Sequence, residues 1–330
     1  MMRPMTLSEL VQPLAATLQG ADCEFSSVST DSRTVAAGDL FVALKGENFD
    51  GHDYIGSVAG GGAVAAMVSQ TVKADLPLLC VKDTQQALGR MGAHNRQLYR
   101  GPLVAITGSS GKTTAKNLVQ SVLSQGGETL ATEGNYNNEI GVPLTLLRLT
   151  SDYDYAVVEM GAARAGDIRW LCELGRPSVA LLLNAMSAHL EGFGSVDAVA
   201  QAKGEIFDDL GPDAFAIINA DQPWADEWRS RAGQATVLDF AVEGPAAFTA
   251  ADITARGVAG ISFEMHTPAG QAHISLALPG KHNVANALAA AAVGYACGLS
   301  LAQIQSGLES AQAVAGRLSA CEGVNGAVVI

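Results

Sequence analysis

The chain has 330 residues, enough for two or three domains with ample cores. Hydrophobic residues make up 48% and charged ones 16%, which excludes a disordered chain; a net charge of −13 with no Lys/Arg run excludes a nucleic-acid binder that works by phosphate neutralisation. Five scattered cysteines (Cys23, Cys80, Cys172, Cys297, Cys321), no membrane-length apolar run and no signal peptide after Met1-Met2-Arg3-Pro4 fit a cytoplasmic protein with reduced thiols.

Residues 1 to about 100 read as a separate small α/β domain. Thr6-Leu7-Ser8-Glu9 is a capping box for a helix carrying Leu10, Val11, Leu14 and Leu18 and stopping at Gly20, with Pro13 as a possible kink. Strand-length apolar runs follow at 40–44, 63–68 and 76–81, the last with Pro77 at its start or on an edge. Two polar loops, Ser29-Thr30-Asp31-Ser32-Arg33 and Lys45 to His52, are rich in hydroxyls, glycine and charge. Such loops bind phosphorylated ligands, and the same residues also make ordinary turns.

The chain changes character at 101. Leu103-Val104-Ala105-Ile106 is a buried strand, and Leu118, Val119, Val122 and Leu123 mark an amphipathic helix. Between them lies Thr107-Gly108-Ser109-Ser110-Gly111-Lys112-Thr113-Thr114, a glycine-rich turn from strand to helix. Curled backbone N–H groups and the positive helix end face an anion in such a turn. As part of such a turn, Lys112 would reach the β- and γ-phosphates and the Thr113 hydroxyl would ligate Mg²⁺; the plainer reading is a solvated turn that happens to hold a lysine, which the strand before and the helix after disfavour. The usual spacing puts glycine where this chain has Ile106, so the match is to a shorter variant, Thr-Gly-x-x-Gly-Lys-Thr.

Further strands are expected at 155–160, 178–184 and 214–220 with helices between, the pattern of a parallel sheet covered on both faces, followed by antiparallel strands within 245–280. Ligands in such folds bind at the carboxyl ends of the strands. Glu159 stands at one of those ends, either as a second acid for Mg²⁺ or as a cap for the next loop, and Asn184 ends another. His189 lies in a loop, and composition alone makes Lys203 a solvated residue on a helix that follows Ser195. Asn283 and Asn286 share one face at the start of an alanine-rich helix, suited to a base or ribose or to capping. Ser300 caps a last helix that ends near Gly316, and the domains expected are 1–100, 101–315 and the beginning of another over 316–330.

These motifs, together with Asp39 to Leu44, Asp50-Gly51-His52, Gly134 to Pro143, Glu159-Met160-Gly161, His189 to Gly194, Ala202-Lys203-Gly204-Glu205-Ile206 and Gly280-Lys281-His282-Asn283, resemble those of the ATP-dependent Mur ligases of peptidoglycan synthesis. The likeness runs from about Ser29 to Arg317 and is nearest the branch that joins D-alanyl-D-alanine to UDP-N-acetylmuramoyl-tripeptide. It implies an α/β protein: a small N-terminal domain for the UDP-linked substrate and a central ATPase domain with a parallel sheet and a few antiparallel strands. It implies that Ser32, Arg33, Gly46, Glu47 and Asn48 lie near the uridine nucleotide, and that Asn135, Asn137 and Asn138 lie by its phosphates or a metal ion. Gly108 to Thr114, Asn283 and Asn286 would serve ATP; Thr113, Glu159, His189 and Lys203 would hold Mg²⁺. The lysine matching Lys203 is carbamylated in relatives, and Arg317 resembles the arginine that approaches the γ-phosphate. With Lys112 these form the expected catalytic set, in a monomer that uses ATP and Mg²⁺ and binds neither nucleic acid nor membrane.

Relatives continue past the position of Ile330 with a third domain, and the apolar ending Ala327-Val328-Val329-Ile330 reads as a domain cut at its start. The expectation is a chain that binds the UDP-linked substrate and ligates poorly or not at all. The alternatives are an amino acid-adding sister ligase, a folylpolyglutamate synthetase or a non-catalytic binding fragment. A small kinase or GTPase accounts for neither the first hundred residues nor the lack of an Asn-Lys-x-Asp segment.

Overall fold

The computed structural model describes residues 2–187 and 193–311, with the backbone of two short strands, Cys321–Glu322 and Val328–Val329, which pair antiparallel. His189 and Arg317 lie outside the described residues. The chain forms two compact units: 1–100 with 138–151, and 101–137 with 152–330.

The first unit begins with β1 (Met5–Thr6), which pairs with β3 (Glu24–Phe25). Its main sheet is built from β2 (Thr17–Gln19), β4 (Ser27–Ser29), β5 (Asp39–Val42), β6 (Ala65–Val68) and β7 (Leu78–Cys80) in the order β2-β7-β6-β5-β4, antiparallel only at β2. Alternation along β5 sends Leu40 and Val42 to one apolar cluster with Met67, Leu79, Leu88 and Met91, and Phe41 to another with Ile55 and Val58. Both faces are therefore buried, which is why these strands read as continuous apolar runs. Pro77 stands just before β7, where its missing N–H breaks no ladder bond.

The first helix is shorter than the sequence pattern suggests. It covers only Leu7–Val11, capped by Thr6, whose hydroxyl accepts from Glu9 N–H at 3.3 Å. Pro13 cannot continue it, Ala15 turns to φ 49°, and Leu18 emerges in β2 paired with β7. The Glu9 carboxylate turns to Arg3 and His94 instead of closing a capping box.

The helix Gly141–Leu147 belongs to this unit rather than to the central stretch that surrounds it in sequence. Buried Asn95, on the helix Thr84–Arg96, donates to the carbonyls of Leu146, Leu147 and Leu149 at 2.8, 3.2 and 3.0 Å. One amide thus satisfies the orphan carbonyls at the end of that helix.

The second unit holds a nine-stranded sheet of β8 (Leu103–Thr107), β9 (Thr129–Ala131), β10 (Tyr155–Glu159), β11 (Val179–Leu182), β12 (Phe215–Asn219), β13 (Thr236–Ala241), β14 (Phe248–Ala255), β15 (Ile261–Thr267) and β16 (Gly270–Leu276). Its order is β16-β15-β14-β13-β12-β11-β8-β10-β9, parallel from β9 to β14 and antiparallel from β14 to β16. The sequence pattern located β8, β10, β11, β12 and the antiparallel group. It did not show β9, which is three residues long, or β13, whose first residues are exposed.

On one face the helix Lys112–Leu123 packs with Lys281–Ala296 and Leu301–Ser310 over Val104, Ile106 and Leu181. Glycine makes that packing close: a Cβ on Gly307 would stand 2.4 Å from Val122 Cα. Helices Asp167–Gly175, Val196–Gly204 and Ala225–Arg231 complete the unit, and Gly175 lies against Leu103, which points away from the Val104 side. Among the described residues no helix is long and apolar enough to cross a membrane. Cys23, Cys80, Cys172 and Cys297 are free thiols; burial pushes Cys297 up to about 12 and Cys172 higher.

Candidate active site

Fully buried β8 ends at Thr107, whose hydroxyl donates to the Met160 carbonyl at 2.8 Å, so the loop that follows starts from a fixed point between β10 and β11. Gly111 then takes φ +78°, a conformation that L side chains rarely adopt, and a Cβ there would press on Asn286 Oδ1 at 3.1 Å. Helix Lys112–Leu123 starts at once, and no side chain caps it. Its first-turn N–H groups have no intrahelical acceptor and form, with the helix dipole, a place for an anion.

Asn184, two residues past β11, holds the other half of the loop. Its Oδ1 accepts from Ser109 N and Ser110 N at 3.1 and 3.0 Å, and its Nδ2 donates to Ser110 O at 3.1 Å. Ser109 N also reaches the Asn184 carbonyl at 3.0 Å, and Ser109 Oγ accepts from Met186 N at 2.9 Å. Lys112 Nζ folds back on the Gly108 carbonyl at 2.8 Å.

Facing the helix start is Glu159, the last residue of β10, only 2% exposed. Thr113 Oγ1 donates to one of its oxygens at 3.1 Å and Asn137 Nδ2 to the other at 2.8 Å, while Thr132 Oγ1 accepts from its backbone N–H at 3.0 Å. Neutral donors on both oxygens fix the orientation of this buried carboxylate beside the helix start.

Lys203 overturns its reading as a solvated residue: it is 2% exposed. Burial, and then the nearby positive charge of Lys112, bring its amine down to about 8 from an ordinary 10.5. The end of its helix is locked from three sides. Trp228 Nε1 donates to Ala200 O at 3.2 Å, Arg231 Nη1 to Gln201 O at 2.6 Å, and the Glu205 carboxylate accepts from Gly166 N and Arg169 N at 2.9 and 3.2 Å. Gly204 makes room, since a Cβ there would meet Arg231 Nη1 at 2.9 Å and Trp228 Cδ1 at 3.0 Å.

A phosphate loop, a strand-end acid and a sheltered lysine are thus assembled at the carboxyl ends of neighbouring strands. Two family models match the chain: "Mur ligase middle domain" over residues 106–294 and "Mur ligase family, catalytic domain" over 24–96. The chain belongs to the Mur ligase family. It is 49% identical over 315 residues, 95% of its own length and 70% of the relative's, to the UDP-N-acetylmuramoyl-tripeptide–D-alanyl-D-alanine ligase of Escherichia coli. Among solved structures, MurF from Acinetobacter baumannii superposes with a TM-score of 0.94 at 38% identity, covering 98% of this chain and 72% of that one. MurF ligase from Thermotoga maritima, solved in complex with ADP, gives 0.80 at 30% identity, with 90% and 68% covered.

In this Mur ligase the loop residues Gly108 to Thr114 and Glu159 come together as the motifs suggested. Asn283 and Asn286 sit at the start of helix Lys281–Ala296 but are buried; Asn286 Nδ2 donates to Asn283 Oδ1 at 3.1 Å and Asn283 Nδ2 to Pro279 O at 2.8 Å. The three asparagines of the 134–143 motif have separate surroundings. Asn135 is exposed, Asn137 serves Glu159, and Asn138 Oδ1 accepts from Gly141 N at 2.9 Å to cap the helix of the first unit.

Within the first unit a cavity of about 390 Å³ is lined by Thr30, Ser32, Arg33, Phe49 and Tyr54. Arg33 is held by Asp31 at 2.6 Å, and its guanidinium brings the Asp31 carboxyl down to about 2. Gly46, Glu47 and Asn48 form a turn closed by Gly46 N–H to Phe49 O at 2.9 Å, with Phe49 56% and Tyr54 45% exposed. His52 of the Asp-Gly-His motif is buried, its Nδ1 on Asp50 at 2.6 Å and its Nε2 accepting from Ser69 N at 2.9 Å, so it braces this turn. Sequence reasoning left out the bracing roles of Asn184, Glu205, Trp228 and Arg231; the one signal available was a polar residue, Asn184, closing an apolar strand.

Proposed function

We propose that this Mur ligase joins D-alanyl-D-alanine to the peptide carboxylate of UDP-N-acetylmuramoyl-tripeptide, at the expense of ATP, as a cytoplasmic monomer in peptidoglycan precursor synthesis. One observation carries the reading: the 49% identity to the E. coli ligase extends over 95% of the chain and so spans both the phosphate loop and the first-unit cavity. A sister ligase is less favoured for the same reason.

The chemistry follows from the poor leaving ability of an oxide or hydroxide. The carboxylate oxygen takes the γ-phosphoryl group, the bond to the β-phosphate oxygen breaks, and ADP departs. The dipeptide amine then attacks the acyl phosphate, inorganic phosphate leaves with the electron pair, and the amine gives up a proton. In this reading Lys112 leaves the Gly108 carbonyl for the transferring phosphates, and the uncapped helix amides stabilise charge as it develops.

The donor set of Thr113, Glu159 and Lys203 fits Mg²⁺, and family resemblance adds His189 to it; bound there, the ion would supply positive charge for the phosphate oxygens and the acceptor carboxylate, while Arg317, by the same resemblance, would approach the γ-phosphate. Lys203 suits this role as a carbamate. An amine lowered to about 8 has an unprotonated fraction at neutral pH that adds CO₂ and releases a proton. In the first-unit cavity, Phe49 and Tyr54 offer faces for the uracil ring, with Ser32 and Arg33 beside the diphosphate and Gly46 to Asn48 closing over it.

The test is ADP release with ATP, Mg²⁺, the UDP-tripeptide and D-alanyl-D-alanine, each omitted in turn. Release that needs both the tripeptide and the dipeptide is expected, and its rate tests the expectation that this chain ligates poorly. Release that runs without the dipeptide, or with a single amino acid in its place, would overturn this substrate assignment.

A further inference from the structure

We infer that Asn184 is a positioning residue that sets where on the loop the nucleotide's phosphates bind, an inference that rests on the ligase reading above. The loop offers a run of backbone N–H donors, and anions compete for all of them unless some are already engaged. Asn184 engages two: Ser109 N at 3.1 Å and Ser110 N at 3.0 Å share its Oδ1. The return bond from Nδ2 to Ser110 O at 3.1 Å fixes the plane of the amide, so that oxygen and nitrogen cannot exchange places. Ser109 is stitched a second time, through its N–H to the Asn184 carbonyl and its hydroxyl to Met186 N.

The first half of the loop is in this way closed to phosphate and tied to the exit of β11. The second half, the first turn of helix Lys112–Leu123 behind Gly111, carries no side-chain cap. Asn184 touches neither the Thr113–Glu159 pair nor the first-unit cavity. Its effect therefore passes through the loop's shape alone and is specific to the nucleotide bound at the loop.

The experiment compares Asn184→Ala and Asn184→Asp with the wild-type chain by calorimetry of ATP and of the UDP-tripeptide, and by hydrogen exchange of the loop amides in the free protein. The alanine variant should bind ATP at least about tenfold more weakly, with UDP-tripeptide affinity and unfolding midpoint close to wild type. Exchange should accelerate at Ser110, whose N–H loses the Asn184 Oδ1 acceptor, and stay slow along β8 and at Ser109, which keeps the Asn184 backbone carbonyl. The aspartate variant keeps both acceptor bonds but faces the anion with a charge, and should lose more ATP affinity than alanine while exchanging slowly. ATP affinity within about twofold of wild type in either variant, or unchanged exchange in the alanine variant, overturns the role given to Asn184 and leaves the ligase reading intact. A wild-type chain that binds the UDP-tripeptide but no ATP overturns both.

Discussion

The phosphate loop of the second unit offers main-chain N–H groups, held by Asn184 from one side and by the packing of helix Lys112–Leu123 from the other. The cavity of the first unit is instead walled largely by side chains, Phe49, Tyr54 and Arg33 exposed and Phe41 buried among them, with Arg33 held by Asp31. The loop's geometry is thus a property of the fold and the cavity's a property of a few rotamers. A site of the first kind is damaged by changes that move backbone, one of the second kind by truncating what lines it.

Four measurements would break or sharpen this contrast. The largest effect is expected for Lys112→Ala, the one side chain of the loop placed to reach the transferring phosphate. ADP formation should fall by about a hundredfold or more, or ~3 kcal/mol, with UDP-tripeptide binding unchanged. Equal losses on both ligands would mean that the two sites are not energetically separate.

Gly307→Ala comes next. Its new methyl has no space against Val122 Cα, and overpacking of this kind costs about 1–3 kcal/mol. A lower denaturation midpoint together with weaker ATP binding is expected, although Gly307 is in a different helix from the loop. Normal ATP affinity in the destabilised variant would show that the loop does not depend on the helix seam beneath it.

Phe49→Ala tests the other kind of site. Loss of a stacking face should weaken UDP-tripeptide binding by about 1–3 kcal/mol and leave both ATP affinity and stability unchanged. A fall in stability instead would make Phe49 a structural residue.

The smallest effect is a pH dependence. Below about 8 Lys203 is protonated in both folded and unfolded chains and the penalty for burying its charge stands in full. Between about 8 and 10.5 the unfolded chain holds a proton that the folded chain has released, so stability rises with pH across that window and levels off above it. Urea midpoints at pH 8 and pH 10, in EDTA and CO₂-free buffer, should differ less for Lys203→Met than for wild type. The same difference in both would place the amine in water.

The parts of this fold that announce themselves in sequence are those whose cause is local. Strand β8 is buried at all five positions, so Leu103 to Ile106 reads as an apolar run, and Gly108, Gly111 and Lys112 follow at the spacing of a short phosphate-binding turn. Glu159 was visible for the same reason, as a charge ending an apolar strand. Lys203 entered the site through the family resemblance and not through its own residue context, because the groups that lock its helix, Trp228 and Arg231, arrive from more than twenty residues away, and a lysine beside a glycine carries no mark of that. Helix Gly141–Leu147 joins the first unit through Asn95, a polar residue whose importance lies in three carbonyls about fifty positions distant. The first helix was overdrawn because Leu14 and Leu18 keep helical spacing past Pro13, although the chain there has already turned into β2.

The uncapped helix start behind Gly111 bears on how the protein can change under selection. A compound that bonds to backbone amides meets groups that every residue type except proline supplies, so point substitutions offer few routes of escape, and those that move the backbone, at Gly111 or Gly307, also damage the enzyme. A compound seated on Phe49 and Tyr54 meets replaceable side chains. Resistance should therefore arise readily against ligands of the first-unit cavity and slowly against ligands of the phosphate loop.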